Sequence, residues 1–322
     1  MTTRRRIVQT IAPLLLCAVA AAFSSAHAET YPARPIKLVV PFAPGGATDI
    51  VGRMLAQQLA TSLGQPVVVE NQAGAGGVVG AGNVARAPGD GYTILLSSLS
   101  TLGLSAPQLN YAPLKDFKHV SMVAYVPNVL VVHPSFPVNS VKDLVELARS
   151  KPGEITYGTG GAGTSVDLAS ALFAKMANVQ LERVAYRGSG PALLDLMAGR
   201  INVMFDNVPS AMPFVAQGKL RAIAVTAKTR APAHPELPTI SEAGIPGYEL
   251  LAWFGVSAPA NTPPAIVQTL ADAIKKAGES PKFREQLADL SAEVKTSSPE
   301  DFTKFFASES EKYQSLTAAA PR

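Results

Sequence analysis

Cysteine is almost missing from this sequence: the one residue, Cys17, falls within the first 28 positions. A chain cut after Ala28 therefore has no thiol, which excludes disulfides and thiolate metal sites and leaves stability to an ordinary apolar core. Histidine is scarce as well. Beyond residue 28 only His119, His133 and His234 occur, at no metal-binding spacing. His133 ends an apolar run just before Pro134 and reads as a buried or hinge-lining residue. There is no Gly-x-Ser-x-Gly elbow, no Ser-x-x-Lys pair and no P-loop, so a hydrolase would have to build its site without a local signature. Charge excess is also lacking. The 28 basic and 24 acidic residues become 25 and 24 once the first 28 positions are removed. Such a near-neutral body has no signature for nucleic acid or for an anionic membrane.

Those first positions carry Arg4, Arg5 and Arg6, then an apolar stretch from Ile11 to Phe23, then Ala26-His27-Ala28. A basic start, a short apolar middle and an Ala-x-Ala end make a secretory signal peptide, cleaved after Ala28. The apolar stretch is shorter than the roughly 20 residues that cross a bilayer, and no later segment approaches that length. Thr3-Arg4-Arg5 leaves general and twin-arginine export both open. What remains suits two domains.

Along the mature chain, short β-branched runs alternate with segments of helical period, the pattern of an α/β protein with mainly parallel sheets. Strands are expected at Ile36–Val40, Val67–Glu70, Thr93–Ser97, Val120–Val126, Leu130–His133, Ile155–Tyr157, Arg183–Tyr186, Val203–Phe205, Ala222–Thr226 and Phe254–Ala258. Helices are expected at Asp49–Ser62, Val141–Arg149, Ser165–Ala177 and Pro191–Ala198. The last quarter reads as consecutive helices opened by Pro263, Pro281 and Pro299, a residue that suits the first helical turn. The Pro- and Gly-rich stretch from Ala231 to Tyr248 lacks period and reads as a surface loop near a domain crossing.

Two glycine-rich turns carry the functional signal. Pro41-Phe42-Ala43-Pro44-Gly45-Gly46-Ala47-Thr48-Asp49 and Gly158-Thr159-Gly160-Gly161-Ala162-Gly163-Thr164-Ser165 each follow a strand and open a helix. Glycines admit close backbone approach, and the helix aims unpaired N–H groups and partial positive charge at the turn, so such a turn suits an anion. Either turn alone could equally be a tight connection with Thr48 or Thr164 as an ordinary cap. One in each domain points to a shared cleft beyond the carboxyl ends of the strands. Gly158, Gly160 and Gly163 also satisfy the dinucleotide fingerprint, with Glu182 at about the right distance. That acid, however, precedes its strand instead of ending it, which argues against an exported dinucleotide-dependent enzyme.

Several blocks, in order, resemble the extracytoplasmic solute receptors of tripartite tricarboxylate transport systems, the Bordetella-uptake-gene type. They are Val40-Pro41-Phe42-x-Pro44-Gly45-Gly46-x-x-Asp49, Val69-Glu70-Asn71-Gln72-x-Gly74-Ala75-Gly76-Gly77, Gly89-Asp90-Gly91-Tyr92-Thr93, Tyr186-Arg187-Gly188-Ser189-Gly190-Pro191-Ala192 and Gly199-Arg200-Ile201-Asn202-Val203-Met204-Phe205-Asp206. The resemblance implies a two-lobed periplasmic binding fold of type II-like architecture, with ligand gripped between a loop of each lobe through backbone amides and ordered waters. It implies lobe 1 from 29–128 and 252–322, lobe 2 from 129–251, and hinges near 126–130 and 249–254. First-lobe contacts would come from Phe42, Ala43, Pro44, Gly45, Gly46, Thr48 and Asp49, with Ser97, Ser98 and Thr101 adding hydroxyls. The second lobe would supply Thr159, Gly160, Gly161, Ala162, Gly163, Thr164 and Ser165, together with Arg187, Gly188, Asp206 and Asn207.

The implied protein is a non-catalytic, monomeric periplasmic receptor without a cofactor, which hands an aliphatic or aromatic carboxylate to membrane transporter subunits. Arg187, at a strand end beside Gly188, is the best cationic candidate for that carboxylate, unless it pairs with Glu182 or Asp195. Where the family often has a histidine before Leu-Ala, this chain has Asp167-Leu168-Ala169. Thr164 and Asp167 form a capping pair on one reading; on the other, Asp167 nears the cleft and disfavours a second ligand carboxylate. Asp49 and Asp206 face the same choice between helix organisation and ligand contact. Phe42, Tyr186 and Trp253 read as core or hinge residues, and would favour an aromatic acid if they line the cleft.

Overall fold

The computed structural model describes residues 30–102 and 109–318; the expected signal peptide lies outside the described residues. The compact body begins at Arg34. Its first strand, β1 (Ile36–Val40), is buried at every residue but Lys37, as suits a strand covered on both faces. Parallel neighbours β2 (Val67–Asn71) and β3 (Thr93–Ser98) flank it. Two strands then run antiparallel: β9 (Leu251–Pro259) beside β3, and β4 (Phe117–Val132) beside β9. A short β10 (Glu293–Val294) also pairs with β4. The second half repeats the plan. There β5 (Thr156–Thr159), β6 (Glu182–Ala185) and β7 (Val203–Asn207) are parallel, while β7 and β8 (Arg221–Val225) lie antiparallel to β4. Each lobe is thus a parallel trio with antiparallel strands at the junction, within the two-lobed α/β fold the sequence implies.

One difference concerns the junction. In place of two strands broken before Leu130, β4 is a single 16-residue strand that serves both lobes. The proline at its centre is tolerated because it stands at the change of partners. The ladder to β9 ends at Pro127↔Leu251 and the ladder to β7 begins at Asn128↔Asn207, so the missing N–H of Pro127 interrupts little.

Helices cover the sheet: α1 (Ala47–Leu63), α2 (Val78–Ala85), α3 (Val141–Ser150), α4 (Ser165–Ala177), α5 (Ser189–Met197), α6 (Val208–Ala216), α7 (Pro264–Glu279), α8 (Pro281–Asp289) and α9 (Pro299–Ala318). Two of them, α2 and α6, were not expected. Helix α2 carries Gly80 and Gly82 and α6 carries Pro209 and Pro213, residues that depress helix propensity. Packing overrides the propensity in α2: a Cβ at Gly80 would lie 2.7 Å from the Gln72 carbonyl and 3.0 Å from Pro41, so only glycine lets the helix sit this close. The core is continuous across the junction, with Met122, Leu130, Phe205, Trp253 and Phe302 in one buried cluster. Trp253 meets Phe302, Phe305 and Phe306 edge-on, which fastens α9 to the β4–β9 pair.

Candidate functional site

The turn between β1 and α1 is shaped by Asp49. Its carboxylate accepts the Gly45 N–H at 3.2 Å, Arg53 Nε at 3.1 Å and Asn71 Nδ2 at 2.9 Å, while Asn71 also donates to the Phe42 carbonyl at 3.0 Å. Burial pushes this carboxyl up, but the hydrogen bonds from Arg53, Asn71 and Gly45 outweigh it and hold the group below its ordinary value. The N-cap of α1 is Gly46, with no side-chain cap. Asp49 N and Ile50 N turn to the Gly46 carbonyl; the N–H groups of Ala47 and Thr48 have no partner within the helix.

The turn between β5 and α4 uses the same device. Asp167 accepts the Gly163 N–H at 3.0 Å and Arg183 Nε at 2.5 Å. Thr164 Oγ1 accepts the Asp167 N–H at 3.2 Å and donates to the Gly161 carbonyl at 2.8 Å. Asp167 therefore organises its turn, as the capping reading has it, and its charge is matched by Arg183.

Between the two turns lies a cavity. Lobe 1 lines it with Phe42, Gly46, Ala47, Thr48, Ser98 and Leu99 and with Ala252, Trp253 and Phe254 of β9; lobe 2 supplies Gly160, Thr164, Ser165, Val166, Ser189 and Asn207. None of these side chains is charged. Asn207 is held by Asn128 Oδ1 at 3.0 Å and Ser165 Oγ at 3.3 Å. The indole N–H of Trp253 is committed to Glu309 at 3.1 Å, so Trp253 offers the cavity only ring surface. Of the aromatic residues weighed from sequence, Phe42 and Trp253 reach the cavity, while Tyr186 donates its hydroxyl to Asp195 at 2.8 Å.

Ser97, Thr101, Thr159 and Asp206 sit just behind the wall. Ser97 Oγ donates to Ser257 at 2.6 Å, and His119 Nδ1 shares that serine at 3.0 Å. Burial pushes His119 down to about 4, leaving a neutral ring in the core. Thr101 Oγ1 closes the turn after β3 on the Ser98 carbonyl at 2.6 Å, and Thr159 Oγ1 does the same on Gly161 at 3.1 Å. His133 shares a hydrogen bond with Ser135 at 2.7 Å beyond the end of β4. Arg187 is exposed, lies outside the cavity lining and has no ion pair among the described residues; Asp195 pairs with Arg200 instead. Asp206 is fully buried behind Ser189 and Asn207.

Several of the expected glycines face the opposite lobe. Ala43 N donates to the Arg187 carbonyl at 3.1 Å. A Cβ at Gly188 would stand 3.2 Å from Ala43 N, and one at Gly190 2.5 Å from the Pro44 carbonyl. At Gly161, with φ +123°, a Cβ would meet Gly76 Cα at 2.7 Å; at Gly76 it would meet the Ala162 carbonyl at 2.6 Å. Backbone approach is the reason for these glycines, but what approaches is the other lobe. Ala43, Pro44, Gly45 and Ala162 belong to the same rim, while Gly163 is tied to Asp167 of its own lobe. Gly74–Gly77 was quoted in the resemblance and not carried to the site, and Ser189 was missed. Its strand–turn–helix setting was the available signal.

The dinucleotide geometry is not formed. Glu182 opens β6 opposite Thr156, at the start of β5, three residues or roughly 10 Å from the glycine turn that follows Thr159. Gly158 is packed under the Ile201 and Met204 side chains, a core position. Among the described residues no group of three or more His, Cys, Asp or Glu could hold a metal, and no helix is long and apolar enough to cross a membrane.

The family model of the tripartite tricarboxylate transporter family receptor matches residues 51–320. BugT of Bordetella pertussis is 38% identical over 303 residues, 93% of each chain. The Rhodopseudomonas palustris protein Rpa4515, solved with adipate, superposes with a TM-score of 0.87 at 38% identity, over 91% of this chain and 100% of that one. MatC of the same organism, solved with bound malate, gives 0.85 at 32% identity, over 89% and 100%. With the sequence blocks, the fold and the paired helix-opening turns in agreement with these matches, the chain belongs to the receptors of the tripartite tricarboxylate transporter family, of the Bug type.

Proposed function

We propose that this chain is a periplasmic receptor that captures a small organic carboxylate between its lobes and presents it, unaltered, to a tripartite tricarboxylate-type membrane transporter. The observation that carries the reading is the pair of helix starts, α1 from one lobe and α4 from the other, lining one cavity that contains no charged side chain. An anion there is met by first-turn N–H groups and by the hydroxyls of Thr48, Ser98 and Ser165. Adipate in Rpa4515 and malate in MatC support a carboxylate ligand. Lobe 1 comprises 29–128 and 252–322, lobe 2 comprises 129–251, and the hinges are 126–130 and 249–254. The change of partners within β4 at Pro127 and Asn128 supports the first hinge. Ala43, Gly45, Gly161 and Gly188 act by letting the lobes meet.

The cavity measures about 30 Å³, room for one or two waters and too little for a small diacid. Ligand therefore enters when the lobes part, and contacts available only on closure shift the population toward the closed form. The protein works as a monomer and its ligand leaves chemically unchanged. Thermal unfolding of the receptor against adipate, malate, benzoate, citrate, aspartate and NAD tests this. A ligand at 100 times its dissociation constant adds about 2.7 kcal/mol, so stabilisation by one or more acids with the acid recovered intact is expected. A shift with NAD alone, or with none of the acids, refutes the proposal.

A further inference from the structure

Among the described residues, Asp206 is the one carboxylate buried against the cavity wall without a cation. It is fully buried in β7, and its Oδ2 accepts a hydrogen bond from Ser210 at 2.6 Å. Its Oδ1 is buried and makes no hydrogen bond. On one side is Val129, its register partner in β4; on the other are the starts of α5, with Ser189, and α6, with Ser210. The cavity is one residue away, because both Asn207 and Ser189 line it.

The titratable groups on the packed elements leave Asp206 alone. Tyr157 on β5 is a neutral phenol whose pKa burial raises. On α4, Asp167 is paired with Arg183 and Lys175 is exposed. On α5, Asp195 is paired with Arg200 and Tyr186, while α6 has no titratable residue. Arg187, before α5, is exposed, and on β8 Arg221 donates to the carbonyls of Pro134 and Val138. No charge from any of them bears on Asp206. Burial pushes its carboxyl up to about 6, against the hydroxyls of Ser189 and Ser210 and the Asn207 N–H.

We propose that Asp206 couples ligand capture to proton uptake: the receptor closes over an organic acid with Asp206 neutral, taking one proton from bulk water for each acid molecule captured. The inference rests on the carboxylate-binding reading above. The physical reason is that a second negative charge, brought within a residue of Asp206 as closure expels water, disfavours the ionised form further. Near neutral pH the empty receptor holds Asp206 mostly ionised and the loaded receptor holds it protonated. Capture is then favoured by acid and release by base.

Calorimetric titration with adipate and with malate at pH 7, in buffers of different ionisation enthalpy, reads the proton directly. The expected result is a buffer-dependent heat corresponding to nearly one proton taken up per acid, with affinity weakening by up to about tenfold per pH unit above pH 6.5. In Asp206→Asn both dependences should vanish, and in Ser210→Ala, which removes a hydrogen bond to the ionised form, the pH midpoint should move upward. The wild-type heats decide even if a variant fails to fold. Binding of either acid with no buffer dependence, or with the same dependence in Asp206→Asn, overturns the proton coupling and leaves the receptor reading standing. Failure of every acid of the panel to bind at both pH 5 and pH 8 overturns the receptor reading, and this inference with it.

Discussion

The two glycine turns solve one problem with different parts. In each, an aspartate in the first helical turn folds back four residues onto a glycine N–H, Asp49 onto Gly45 and Asp167 onto Gly163, and an arginine neutralises it. In lobe 1 the arginine comes from the same helix, one turn on, and the N-cap is a bare glycine. In lobe 2 the arginine comes from the neighbouring strand β6, and Thr164 caps the helix. Each helix start leaves its first two N–H groups without a partner in the helix, Ala47 and Thr48 in lobe 1 and Ser165 and Val166 in lobe 2, all four residues on the cavity; lobe 2 is more fully tied to its own sheet. The difference makes lobe 2 the more rigid jaw.

The sharpest way to break this arrangement is at the rim. Gly161→Val places a side chain against Gly76 of the opposite lobe, at a φ that L residues rarely adopt. Closure should be blocked and the affinity for adipate should fall by about tenfold or more. Calorimetry checks it: unchanged affinity would mean that the glycine contacts between lobes are incidental to binding. Gly45→Ala strains the backbone at φ +88° and so lowers stability, but its Cβ has nothing nearer than 3.9 Å, so it should cost far less affinity.

The second effect separates the buried carboxylates by pH. Asp206 has a raised folded value, so its contribution to stability is fully present below the unfolded carboxylate range and is lost as pH rises through about 6. A shift of that size corresponds to about 3 kcal/mol. Asp49 is depressed, so its contribution is present above the unfolded value near 4 and is lost as pH falls through the folded one. Urea unfolding of the unliganded receptor from pH 4 to 8 should show stability falling as pH rises from about 4 to about 6 and levelling off above it, and Asp206→Asn should flatten that limb. An identical limb in the variant would assign it to another group.

Much of this was legible in the sequence, for reasons that differ from element to element. Strand β1 and helix α4 were bounded correctly because β-branched runs and a Thr164 cap are local signals. The two turns were found because strand–glycine–helix spacing is local as well. What was not legible depends on the chain meeting itself. Pro127 reads as a break, and only the exchange of β9 for β7 as neighbour makes it tolerable. Arg187 reads as a ligand cation, yet its carbonyl, not its guanidinium, does the structural work, by accepting Ala43 N–H from the other lobe. Helices α2 and α6 contain the residues that propensity penalises, and tertiary packing decides them.

A third comparison sets Asp49→Ala against Asp167→Ala. The first leaves Asn71, the Gly45 N–H and the exposed Arg53 without their acceptor, and about 1–3 kcal/mol of stability should be lost. The second should cost less, because Thr164 still accepts the N–H of residue 167. Equal losses would show that the two turns are held alike.

The smallest expected effect tests the cap itself. Thr164→Ala removes the acceptor for the Asp167 N–H and the donor to the Gly161 carbonyl, a change that typically costs about 1 kcal/mol. Lobe 1 has no equivalent to lose, since Gly46 bears no side chain; Gly46→Ser would add one. Its φ of −86° is open to any residue, but its Cβ would stand 3.5 Å from Ser189 Cβ across the cavity. Gly46→Ser should therefore stabilise the empty receptor slightly while weakening adipate binding, because the new hydroxyl competes for the N–H groups left to the ligand. Thr164→Ala should do the reverse for stability and leave affinity nearly as it was. If both variants moved affinity equally, the two helix starts would be equivalent anion sites and the asymmetry between the lobes would concern folding alone.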